Sequence, residues 1–160
     1  MSALADVRPA AHPASRSRWA DAAALGMVLA GAGHVVAALE HLDHGLVFAA
    51  FFLTVGVAQL GLGPALRKGP RPATVGVVLA GTIGLLLLYV VSRTVVLDLG
   101  PHSDRPEDPD ALGTAVVIVE LVTVTALPTL LPAPWRRAAV DTILAVGAAV
   151  WLAWFTGLIG

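Results

Sequence analysis

Five apolar stretches divide most of the sequence between them, and each is long enough as an α-helix to cross a hydrocarbon core of roughly 30 Å. Lipid offers the backbone no hydrogen-bond partner, so a long apolar segment surrounded by it must satisfy its own N–H and C=O groups as a helix. The expected spans are residues 19–42, 46–66, 73–97, 111–131 and 138–159, which makes the chain an all-α, polytopic membrane protein with five transmembrane helices in one bundle. Composition agrees: 57% of the residues are hydrophobic and only 13% charged.

The segments between the spans are short and polar. Residues 1–18 hold Arg8, Pro9, Pro13, Arg16 and Arg18, lack the apolar core and cleavage site of a signal peptide, and read as a disordered cytoplasmic tail. Asp43-His44-Gly45 marks a tight turn in which Gly45 suits a left-handed cap. Residues 98–110 form an acidic, proline-rich extracytoplasmic loop, and Asp108 before Pro109 predicts the N-cap of the fourth span. Gly76, Ala80 and Gly84 recur every four residues on the third span, a ridge that suits close approach by another helix.

The loop charges set an expected orientation. Arg8, Arg16, Arg18, Arg67, Lys68, Arg71, Arg136 and Arg137 fall on one side, while the other carries Glu40, Asp43, Asp98, Asp104, Glu107, Asp108 and Asp110 against Arg93 and Arg105. Basic loops stay in the cytoplasm, which predicts a cytoplasmic N-terminus, an extracytoplasmic C-terminus and location in the cell inner (cytoplasmic) membrane. A net charge of −1 gives no reason to expect a nucleic-acid partner. The absence of cysteine removes disulfides, thiolate metal sites and cysteine nucleophiles.

Polar groups concentrate between Gly33 and Gly45, which contain three of the five histidines. At about 100° per residue His34 and His41 share a helical face, with His44 some 60° further round. Counted from the span ends by helix rise, His34, Glu120 and Tyr89 lie at similar depth, with Arg93 and His41 shallower. Gly26 and Ala30 precede His34 on one face, and Gly113 and Thr123 flank Glu120, so both polar groups are expected to face helices rather than lipid. Ionisable groups at such depth mark a site by default. The expected site is a metal centre open to the extracytoplasmic side, with His34, His41, His44 and His102 as candidate nitrogen ligands, Glu120 as carboxylate ligand or anchor, and Tyr89 and Arg93 in support. Imidazole with carboxylate suits a divalent transition metal, Zn, Cu or Fe, and no other cofactor is indicated. His34 and His41 are two turns apart, wider than the spacing of a chelating pair, so a shared ion needs an intermediate ligand from another helix.

Other readings compete. Arg93 has the reach to pair with Glu120, leaving a satisfied network that only fixes helix packing in a membrane subunit or scaffold. Alternatively, Glu120 and His34 serve a small proton-linked transporter. Partners under these readings are the lipid bilayer, a membrane or extracytoplasmic protein, or further copies of the chain. No nucleophile stands at recognisable spacing from a base, so enzyme activity has little support and no catalytic residue is assigned. Gln59 is expected to lie in the inner half and to make an interhelical hydrogen bond.

Gly33-His34 through Glu40-His41, Phe51-Phe52, Gln59-Leu60, Tyr89-Val90-Val91-Ser92-Arg93-Thr94, Gly100-Pro101, Pro106-Glu107 and Glu120-Leu121 together resemble an uncharacterised group of small multi-pass membrane proteins of actinobacteria. The resemblance covers about residues 30–125. It implies a membrane location and no activity.

Overall fold

A computed structural model describes residues 13–96 and 105–159, without the side chains of 13–17 and 44. Five α-helices follow one another: α1 (Pro13–Glu40), α2 (Leu46–Arg67), α3 (Pro72–Thr94), α4 (Ala111–Ala126) and α5 (Ala133–Phe155). All five are long and apolar enough to span a membrane, α4 being completed by the 3₁₀ turn Leu127–Leu130. Leu25, Leu29 and Leu39 of α1, and Trp151 and Phe155 of α5, are among many large apolar side chains left on the surface. Their environment is a lipid bilayer, and the molecule is an integral membrane protein.

The helix ends follow from local chemistry. α1 runs from Pro13, where the described residues begin, so the described part of the segment expected to be irregular is helical. Residues 1–12 lie outside the described residues. Gly45 stands between α1 and α2 at φ +130°, ψ +139°, an extended conformation of positive φ open to glycine, rather than the expected left-handed helical cap. The N-cap of α4 is Asp110, whose Oδ1 accepts from the Gly113 N–H at 2.6 Å, in place of the expected Asp108. A side-chain cap reaches the N–H three residues on, and helix geometry starting at Ala111 puts only Asp110 in that position.

α1 is the central helix and runs antiparallel to both α2 and α4. A Cβ on Gly31 would stand 2.9 Å from the Gly56 carbonyl oxygen, and one on Gly63 3.0 Å from that of Ala24. On another face of α1, a Cβ on Gly33 would overlap Val116, and one on Gly26 would overlap Thr123. Advancing seven residues along α1 thus matches retreating seven along either partner. Two-turn repeats of glycine are what let these backbones close up without a hydrophobic driving force. The ridge expected on α3 is not used in this way: among the described residues, no other helix comes within 4 Å of a Cβ placed on Gly76 or Gly84.

The apolar core lies toward the end where α1 begins. Ala23, Ala24 and Met27 of α1 pack there with Leu66 of α2, Val75, Val78 and Leu79 of α3, and Leu127 and Leu130 of the 3₁₀ turn. Pro128 cannot donate to the preceding turn, so the α-helix tightens into 3₁₀ and brings these leucines inward. The polar layer stands beyond this core, toward the other end of α1. Only 6% of the apolar window of α5 is buried, against 44% for α1, so α5 attaches chiefly through Ala139 near its start.

Candidate functional site: a buried Glu–Gln–His chain

Gln59 joins two of the three groups expected at one depth, His34 and Glu120. Its Nε2 donates to Glu120 Oε1 at 2.9 Å, and its Oε1 accepts from His34 Nδ1 at 2.9 Å. His34 Nδ1 also lies 3.0 Å from the Ala30 carbonyl oxygen. Both neighbours of Nδ1 are carbonyl oxygens, so this nitrogen carries the proton and Nε2 keeps its lone pair in the neutral ring. His34, Gln59 and Glu120 are buried, and the chain of bonds ties α1, α2 and α4 together.

Measured along the axes, Gln59 is too far down α2 to face His34, since Gly56 already stands opposite Gly31. Helical side chains lean toward their own N-terminus. In an antiparallel pair two such side chains lean toward one another, so His34 and Gln59 close the gap between their levels. Glu120 leans the same way along α4, from between Thr123 and Val116 toward the level of Gly33. The three polar ends converge where glycines make the helices closest.

His41 is arranged like His34, with Nδ1 2.8 Å from the Ala37 carbonyl oxygen. The two imidazoles do not meet. Phe52 lies between them, its ring centroid 6.0 Å from that of His34 and 4.7 Å from that of His41. Among the described residues, no three His, Asp or Glu side chains gather into a group able to hold a metal. The side chain of His44 and the whole of His102 lie outside the described residues.

Arg93 and Tyr89 belong to a separate cluster at the end of α3. The helix stops at Thr94 rather than continuing to Leu97, so Tyr89 is only five residues from the end and Arg93 is penultimate. Arg93 donates through Nη1 to Glu107 and through Nη2 to Asp110 Oδ2 at 2.8 Å, and its guanidinium stands 4.8 Å over the Tyr89 ring. Tyr89 Oη is 3.4 Å from Thr114 Oγ1. Arg93 therefore does not pair with Glu120; it fastens the loop before α4 to the end of α3. Asp110 serves twice, as cap through one oxygen and as ion-pair partner through the other. Asp110→Ala should cost about 1–2 kcal/mol, most of it from the cap; thermal unfolding in detergent measures the loss, and Asp110→Asn, which keeps the cap, should recover most of it.

Gln59 is the residue whose role sequence reasoning underestimated. Its presence in the middle of a span signals a polar partner, but choosing that partner requires the helix register. Comparison with protein-family models, curated proteins and solved structures finds no match.

Proposed function

We propose that this membrane protein is a non-enzymatic, proton-linked carrier in the cytoplasmic membrane, with Glu120 and His34 as its exchanging groups. The observation that carries this reading is that Glu120, 2% exposed, has among the described residues an amide and no cation as its partner. Arg93, whose reach made it a candidate partner, is committed to Glu107 and Asp110. A carboxyl in that position takes its balancing positive charge from what it binds. Gln59 does not carry a proton itself; it orients Glu120 at one end and fixes the His34 tautomer at the other, leaving Nε2 as the basic nitrogen. Phe52 separates this buried pair from His41. The basic loop residues support a cytoplasmic N-terminus, which turns the His41 end outward. A bundle this small completes a conducting path as a homo-oligomer.

Reconstitution into liposomes loaded with a pH-sensitive dye tests the proposal. Wild type should take up protons under an imposed potential, Glu120→Gln should abolish uptake, and His34→Gln should reduce it. Protein that leaves the liposomes as tight as empty ones overturns the reading and favours a structural network.

A second reading, a transition-metal site, is supported by the Nδ1 contacts of His34 and His41. Metal-binding imidazoles commonly hold their second nitrogen against a carbonyl oxygen in this way, presenting Nε2 to the ion. Zinc titration of the purified protein separates the two: stoichiometric binding lost in His34→Ala favours the metal.

A further inference from the structure

We propose that a groove between α1 and α2, where α1 begins its apolar span and α2 ends, binds one ethanolamine phospholipid. Asp21, Ala24, Leu25, Val28, Pro64 and Arg67 line an open cleft of about 380 Å³. Its rim is an ion pair and its wall is apolar. Arg67 Nε donates to Asp21 Oδ1 at 2.7 Å, and the two side chains remain 65% and 51% exposed.

Among the described residues, the pair leaves most of its bonding capacity unused. A guanidinium has five N–H donors, and this contact takes only the one on Nε. The two terminal nitrogens of Arg67 are left to grip a phosphodiester in the forked geometry that suits arginine. Asp21 keeps a second carboxylate oxygen, Oδ2, as acceptor. Arg67 is the last residue of α2, and Asp21 is the fourth residue of the apolar span that starts at Arg18, so both stand at headgroup depth. From Asp21 to Val28 the groove follows about 10 Å of helix into the hydrocarbon region. Ala24, Leu25, Val28 and Pro64 offer only apolar side chains along it, and Pro64 has no N–H, so the wall suits the upper part of an acyl chain.

The charge pattern chooses among headgroups. Arg67 alone would accept any phospholipid phosphate. Asp21 beside it repels a headgroup of net negative charge and accepts hydrogen bonds from a primary ammonium. A choline headgroup carries the same charge as ethanolamine but has no N–H to donate. The complement to a paired cation and anion of this kind is a zwitterion with an N–H donor. The site is distant from the Glu120–Gln59–His34 chain and does not depend on proton transport.

Native mass spectrometry of the full chain released from detergent tests the proposal, using ethanolamine, choline and glycerol phospholipids with identical acyl chains. Wild type should retain one ethanolamine lipid in preference to both others. Arg67→Gln should lose retention of all three, and Asp21→Asn should lose the preference over choline while still holding phosphate. Equal retention of the three lipids by wild type, or an ethanolamine preference that survives Asp21→Asn, overturns the proposal. Should Arg67→Gln lower the helix content measured by circular dichroism, the Asp21→Asn comparison decides alone.

Discussion

Leucine in place of Gly31 or Gly56 is expected to abolish the folded bundle. Each glycine presses on the other's carbonyl oxygen, at 2.9 and 2.8 Å from an added Cβ, and a backbone atom has no rotamer by which to withdraw. Alanine at either position already forces α1 and α2 apart by a few tenths of an ångström or more. That strain should cost about 1–3 kcal/mol. Leucine adds a branched side chain where no space exists, and the separation it requires also breaks the His34–Gln59 bond. The measurement is unfolding in mixed detergent micelles: a lowered midpoint for Gly31→Ala, and no cooperative transition for Gly31→Leu. Gly76→Leu, on a face of α3 that no other helix among the described residues approaches, is the control and should unfold like wild type. Equal stability of the three variants would show that α1 and α2 do not pack through these glycines.

Removing the middle of the polar chain should be worse than removing all of it. Gln59→Leu leaves Glu120 without its donor and His34 without one of its acceptors, each buried, at about 1–3 kcal/mol per unsatisfied group. His34 retains the Ala30 carbonyl, so most of the loss falls on Glu120. Replacing His34, Gln59 and Glu120 together by leucine removes the unpaired groups as well as the bonds, and stability should return close to that of wild type. Because the three residues share one network, their effects are not additive, and the triple variant measures the coupling. The same variant separates structure from function: a stable bundle that no longer takes up protons assigns the polar groups to activity. Gln59→Leu indistinguishable in stability from wild type would mean that the network holds nothing together.

The five spans were legible in the sequence because lipid imposes a minimum length and a near absence of charge, and both are properties of a segment alone. The face shared by Gly26, Ala30 and His34 was legible for a similar reason, since helical periodicity is local. Which helices meet on that face was not. Gly31 and Gly33 look equivalent in the sequence, yet one receives α2 and the other α4, and only the assembled bundle distinguishes them. The pairing of Glu120 with Gln59 rather than Arg93 depends on two further things invisible in spacing: where α3 stops, and which way each side chain leans. Placing the end of α3 at Leu97 instead of Thr94 moved Tyr89 and Arg93 deeper than they are. Counting depth by helix rise treated side chains as if they stood level with their own Cα, which set Gln59 apart from His34.

The slight attachment of α5 bears on how the protein is made. Helices α1 to α4 and the 3₁₀ turn already supply all of the apolar core but Ala139, and the whole of the Glu120–Gln59–His34 chain, so nearly all of this packing is available once residue 131 has left the ribosome. α5 then enters the membrane as a single hairpin arm, joined through the buried 3₁₀ turn at Leu127–Leu130 and touching little else. A segment fused after Phe155 would therefore load the most loosely held helix and leave the packing of α1 to α4 as it is.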